Sequence, residues 1–186
     1  MKTAGIVLAG GLSRRFGSPK AFAEWEGRHF YEWSLNAMKP FCEKSIVVTR
    51  PELVERFPCD LHITTDVKPF AGQGPLAGIL SGMEKLQAER YIILPCDMPF
   101  MTADVIGRLL EYHSSGVTSV VLDGNYHPLV SIWDCTTLQN LREALESGNR
   151  RVMDVQEKLG VRWVDGVLLA NDAHRTFTNA NTPNIL

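Results

Sequence analysis

An excess of charge of one sign is missing from this chain: 19 Lys and Arg stand against 21 Asp and Glu, a net charge of -2. That balance leaves no global basic field and excludes nucleic acid as a partner held by overall charge. Cysteine is scarce and scattered. Cys42, Cys59, Cys96 and Cys135 form no Cys-x-x-Cys pair and no metal-ligand spacing, so reduced and mostly buried thiols are expected rather than a disulfide frame. Long hydrophobic runs are absent as well. The apolar start, Gly5 to Ala9, is too short for a secretory signal, and Arg14 and Arg15 close it off. No later stretch reaches the length of a bilayer crossing. A cytoplasmic protein with no membrane partner is expected. Repeats, low-complexity tracts and Pro/Gly/Ser linkers are lacking, and 186 residues suit one domain with a substantial core.

What is present is an alternation of strand-length apolar runs and helical patterns. Gly5 to Leu8 reads as a buried strand, and a polar glycine-rich loop follows through Lys20. Phe30, Trp33, Ala37, Met38 and Phe41 recur at helical spacing. Ser45 to Thr49 predicts a second strand and Leu61 to Thr64 a weaker third; the loop Ala71 to Gly78 precedes a short helix ending near Leu86. Tyr91 to Leu94 is the clearest buried strand, and Thr102 is a good N-cap for a helix through Tyr112. Thr118 to Leu122 and Leu129 to Trp133 flank a turn around Asp123-Gly124-Asn125, which predicts an antiparallel hairpin. Leu138, Leu141 and Leu145 mark another helix, a short one begins near Arg151, and Val161 to Val164 reads as a last strand. The class is α/β: a single Rossmann-like domain, its sheet mostly parallel with helices on both faces and a small antiparallel element. Ligands of such sheets collect at the carboxyl ends of the strands.

The first loop, Leu8-Ala9-Gly10-Gly11-Leu12-Ser13-Arg14-Arg15-Phe16-Gly17-Ser18-Pro19-Lys20, combines three glycines with three cations directly after a buried strand. Glycines let the backbone approach a ligand and turn N–H groups toward an anion, while Arg and Lys donate to phosphate oxygens. The pattern is neither G-x-G-x-x-G nor a P-loop, since Lys20 sits three residues past Gly17. Asp97 follows the most apolar strand between Pro95 and Pro99, a rigid placement that suits Mg²⁺; capping of the next helix falls to Thr102 instead. Gly74 and Gly78 read equally as a turn with a close helix contact or as part of a ligand border. Asn179 and Asn181, one residue apart, place two carboxamides on one face of an extended segment, although an Asx turn explains the spacing as well.

These motifs resemble the nucleoside-triphosphate transferase superfamily and, within it, the molybdenum cofactor guanylyltransferases, whose loop runs L-A-G-G-x-x-x-R-[MF]-G-x-D-K. Leu8-Ala9-Gly10-Gly11, Arg15, Phe16, Gly17 and Lys20 match, and Pro19 stands where that family usually has Asp. Gly74-Pro75-Leu76-Ala77-Gly78, Pro95-Cys96-Asp97-Met98-Pro99, Arg150-Arg151-Val152 and Asn179-Ala180-Asn181-Thr182-Pro183 match further motifs in order, and His127-Pro128 has a counterpart. Thr49 stands where the family often has Asn. The resemblance implies GMP transfer from GTP to the terminal phosphate of molybdopterin, with release of pyrophosphate. It implies a nucleotide-binding part over about 1–100 and a cofactor-substrate part over about 101–186. Leu8, Ala9, Gly10, Gly11, Lys20, Asp66, Gly74, Gly78 and Asp97 would border the nucleotide, with Lys20, Arg15 and Asp97 catalytic and Asp97 on Mg²⁺. Arg151, Asn179 and Asn181 would meet the pterin substrate, and proteins that deliver and accept the cofactor would be transient partners. Rival readings are a cytidylyltransferase for the same cofactor, a sugar-phosphate nucleotidyltransferase, or a nucleotide-binding regulator without turnover. The pyrimidine and sugar enzymes commonly carry Ala-Ala-Gly where this chain has Ala9-Gly10-Gly11.

Overall fold

The computed structural model describes residues 1–11 and 17–180. Strand β1 (Thr3–Leu8) is buried on both faces, as its unbroken apolar run requires, and leads through the first loop to a 3-10 turn at Lys20–Phe22. A two-stranded hairpin follows, β2 (Glu24–Trp25) and β3 (Arg28–His29), turning at Glu26 and Gly27, both with positive φ. Helix α1 (Phe30–Met38) starts at His29, whose backbone N–H donates to the Glu32 carboxylate at 2.7 Å. β4 (Lys44–Val48) and β5 (Ile63–Thr64) precede helix α2 (Pro75–Lys85) and β6 (Arg90–Pro95). Helix α3 (Ala103–Tyr112) begins at Thr102, whose hydroxyl accepts the Val105 N–H, as expected of that N-cap.

β7 (Val117–Leu122) and β8 (Asn125–Asp134) form the expected antiparallel hairpin, with Asp123 and Gly124 at positive φ in the two-residue turn. β8 starts at the turn itself, four residues before the apolar run Leu129 to Trp133. The register jumps from Ser119–Ser131 to Val120–His127, a bulge containing Pro128, which has no N–H for the ladder. Gln156, fully buried, fills the gap by donating to the Pro128 carbonyl at 2.8 Å and Ser119 Oγ at 2.9 Å. Helices α4 (Leu138–Glu146) and α5 (Val152–Lys158), strand β9 (Arg162–Asp165) and the short helix α6 (Ala173–Thr176) follow among the described residues.

The seven main strands are ordered β5-β4-β1-β6-β8-β7-β9, and only the two pairings made by β8 are antiparallel. Two apolar layers cover the sheet. Ala37, Met38, Ile106 and Leu109 of α1 and α3 pack on one face, and Leu76, Leu80, Leu141 and Val155 of α2, α4 and α5 on the other. From the central β1 the chain runs outward to β4 and β5, then returns to β6 on the opposite side. The switch point therefore lies between the carboxyl ends of β1 and β6. No helix among the described residues is long and apolar enough to cross a membrane.

Candidate active site

The first loop leaves a rigid anchor. The Ala9 N–H donates to the Val48 carbonyl at 2.8 Å, and the Cys96 N–H donates to the Leu8 carbonyl at 3.1 Å. Thr49, buried where the resembling family often has Asn, donates its hydroxyl to the Ala9 carbonyl at 3.2 Å. Its side chain thus faces the protein. With β4 on one side and β6 on the other, the backbone at Leu8 and Ala9 is fixed before the two glycines begin. A Cβ on Gly10 would meet only Arg50 Cγ, at an ordinary 3.8 Å, and one on Gly11 would meet no described atom within 4 Å. Neither glycine has positive φ. Among the described residues, neither backbone conformation nor a close neighbour requires glycine at either position.

Lys20 and Asp97, separated by 77 positions in sequence, meet at the switch point. Lys20 Nζ lies 2.9 Å from Asp97 Oδ2, with the side chains 15% and 22% exposed. The Asp97 backbone carbonyl accepts the Ala180 N–H at 2.8 Å, so the carboxyl-terminal segment is fastened to the same loop. Two contacts on the Phe100 ring lie close in sequence to the pair. Trp25, just after the Lys20 turn, packs edge-on against Phe100, just after Asp97, with centroids 4.9 Å apart. The guanidinium of Arg175 of α6 lies 4.9 Å from the centroid of the same Phe100 ring. No cluster of three or more His, Cys, Asp or Glu side chains occurs among the described residues. A lone carboxylate reachable from solvent fits Mg²⁺, which takes one or two carboxylates and completes its shell with water and substrate phosphates.

Beside β4, Asp66 Oδ2 accepts the Gly72 N–H at 3.0 Å, and burial pushes its carboxyl above the usual range despite that bond. The sequence places Gly78 at the end of a loop, but α2 already begins at Pro75, a residue pre-set for the first helical position. Gly74 stays in the loop as N-cap with φ +86, a conformation that demands glycine. Gly78 is buried in the helix. A Cβ there would come 2.9 Å from Leu8 Cδ2 and 3.8 Å from Asp66 Oδ1, so its bareness lets α2 lie close on β1.

At the same sheet edge, past β6, a cavity of about 280 Å³ is lined by Leu122, Asp123, Asn125, His127, His174, Phe177 and Asn179. The His127 ring sits 5.5 Å from that of Phe177, and burial lowers its pKa, favouring neutral imidazole at pH 7. Asn179 is thereby one residue from the Ala180–Asp97 bond. Arg151 instead is the exposed N-cap of α5, 79% exposed, with Nε 3.6 Å from Asp154. Arg15 and Asn181 lie outside the described residues. Sequence reasoning missed Arg50, Trp25 and Phe100. Arg50 could have been suspected from its place directly after a strand's carboxyl end.

The sequence profile of the MobA-like NTP transferase domain matches residues 5–161. Two bacterial proteins named "probable molybdenum cofactor guanylyltransferase" are each 35% identical over 187 residues: one from Geobacillus sp. (98% of this chain, 95% of its own) and one from Bacillus subtilis (98% and 92%). The crystal structure of molybdopterin-guanine dinucleotide biosynthesis protein A from Archaeoglobus fulgidus superposes with a TM-score of 0.80 at 24% identity, covering 98% of this chain and 94% of that one. The two share a fold. With this profile match and these full-length relatives, the chain belongs to the MobA-like NTP transferase family.

Proposed function

We propose that this protein transfers GMP from GTP to the terminal phosphate of molybdopterin in the cytoplasm, forming the guanine dinucleotide and releasing pyrophosphate. The observation that carries the reading is the Lys20–Asp97 pair at the switch point, between a bare glycine backbone on one side and a polar cavity on the other. The relatives' names support the same donor and acceptor.

Sheet order supports a separate side for each substrate. The nucleotide lies over β1 and β4, against Gly10, Gly11, Gly74 and Asp66. The pterin phosphate comes from the cavity at the β7–β8 turn, with Asn179 as a contact and Asn181 and Arg151 as further ones. β6 runs between the two, so Asp97 stands where they meet. An oxygen of the pterin phosphate attacks the α-phosphorus of GTP; that bond forms as the bond to the β-phosphate oxygen breaks, and pyrophosphate leaves. No enzyme nucleophile is needed, so catalysis consists of positioning and charge compensation. Asp97 would hold Mg²⁺, whose charge offsets that of the triphosphate when bound. Lys20, joined by Arg15, turns its ammonium to the phosphate oxygens and balances the charge that builds on the departing pyrophosphate. Proteins that deliver and accept the cofactor are its expected transient partners.

Pyrophosphate release, measured with GTP, CTP and ATP and purified molybdopterin in the presence of Mg²⁺, tests the reading. Release with GTP that depends on molybdopterin is expected. Faster transfer from CTP would replace it by cytidylyl transfer, and nucleotide binding without release would make the protein a sensor.

A further inference from the structure

Arg50 follows β4 at the carboxyl edge, on the far side of Gly10 from Asp97. Its backbone is fixed: the carbonyl accepts the Leu53 N–H at 3.0 Å and starts the 3-10 turn Pro51–Arg56. Its stem lies across Gly10, with Cγ 3.8 Å from where a Cβ on that glycine would stand. The head is fixed too, because Nη1 donates to Glu52 Oε1 at 2.7 Å. Nε, buried, has no hydrogen-bond partner among the described residues. An unpaired buried donor on a charged group is costly, and a fold rarely keeps one without use.

We infer that Arg50 is a specificity-determining residue that donates from its Nε edge to the acceptor edge, O6 and N7, of the guanine base. This rests on the guanylyl-transfer reading above and names the group that reads the base. Three features favour the base over a phosphate. Lys20 and Asp97 meet between β1 and β6; on the guanylyl-transfer reading they hold the triphosphate end, so a nucleotide lying on Gly10 and Gly11 extends its nucleoside toward β4. Glu52 offsets part of the guanidinium charge, which weakens its pull on an anion and favours a neutral acceptor. A guanidinium fork also matches two adjacent acceptors, a pattern guanine offers and adenine, with N6–H₂ beside N7, does not. Gly10 then has a reason: with no Cβ, the loop can settle on the base while Arg50 closes from the side.

The test is a cycle between residue and ligand atom. Affinities of GTP·Mg²⁺, ATP·Mg²⁺ and 7-deaza-GTP·Mg²⁺, which lacks the N7 acceptor, are measured by calorimetry for the unmutated protein, Arg50→Gln and Arg50→Lys. No second substrate is needed. The unmutated protein should bind GTP about 10-fold more tightly than either analogue, within the range of one bidentate base contact. Arg50→Gln should bind GTP about 10-fold more weakly and lose discrimination against 7-deaza-GTP. Arg50→Lys, which keeps the charge without the fork, should lose that discrimination as well, and it carries the test if the Gln variant does not fold. Full discrimination retained in a folded variant, or none in the unmutated protein, overturns the assignment of Arg50 alone. Preference of the unmutated protein for CTP overturns it together with the guanylyl reading.

Discussion

Removing the ammonium of Lys20 separates catalysis from stability at one atom. Lys20 Nζ sits 2.9 Å from Asp97 Oδ2. At an effective dielectric constant of about 20, unit charges about 3 Å apart attract by roughly 5–6 kcal/mol before desolvation and side-chain entropy are subtracted. Exposed pairs retain about 0–1 kcal/mol and breaking a fully buried pair costs about 3–5 kcal/mol. With side chains 15% and 22% exposed, this pair falls between, and Lys20→Ala should destabilise the fold by about 1–2 kcal/mol. That is small beside the roughly 5–15 kcal/mol of a typical domain, so the variant folds. Turnover should fall about 10²- to 10³-fold, the usual loss when one charge-stabilising donor is removed from a transition state. Lys20→Ala combined with Asp97→Asn removes the abandoned carboxylate charge and should recover part of the stability while activity stays lost, since an amide binds Mg²⁺ poorly. Urea denaturation and molybdopterin-dependent pyrophosphate release give the two readouts. Near-normal release by folded Lys20→Ala, or activity returning in the double variant, would refute the assignment.

Three further outcomes are expected. Asp66 has its folded-state pKa raised by burial, so ionising it on the rise of pH above the ordinary value near 4 removes stability; Asp66→Asn should leave the free protein as stable or more stable at pH 7 and flatten that part of the stability profile, while weakening GTP binding. A stability loss at pH 7 would show the carboxylate to be structurally favourable. Phe100→Ala releases both Trp25 and Arg175 and should lower kcat about 10-fold with little change in GTP affinity, because Lys20 and Asp97 lose their mutual placement; Phe100→Tyr should restore the rate, and equal kcat in the Ala variant would count against the clamp. Gly78→Ala gains about 1 kcal/mol of helix propensity but presses on Leu8 at a cost of about 1–3 kcal/mol, so a net loss of up to about 2 kcal/mol is expected in denaturant titration; a gain would mean that Leu8 yields freely.

The sequence by itself determined the elements whose signals are local. Unbroken apolar runs at Ile6 and Ile92 could only be strands buried on both faces, Thr102 capped its helix, and Asp123-Gly124 made its turn, because backbone conformation there depends on near neighbours. Lys20 and Asp97 were likewise legible, each on its own motif. Their meeting at 2.9 Å was not, since it needs β6 to return beside β1 from the far side of the sheet. The same holds for Gly78, whose role follows from Leu8, a residue 70 positions away. Two-residue strands such as those at Trp25 and Arg28 carry too few residues for a period to show, so the hairpin whose Trp25 packs against Phe100 stayed hidden. Arg50 in the sequence is one more charged residue after a strand. Only the tertiary structure lays it across Gly10, because the pairing of β4 with β1 brings the ends of both strands to one edge.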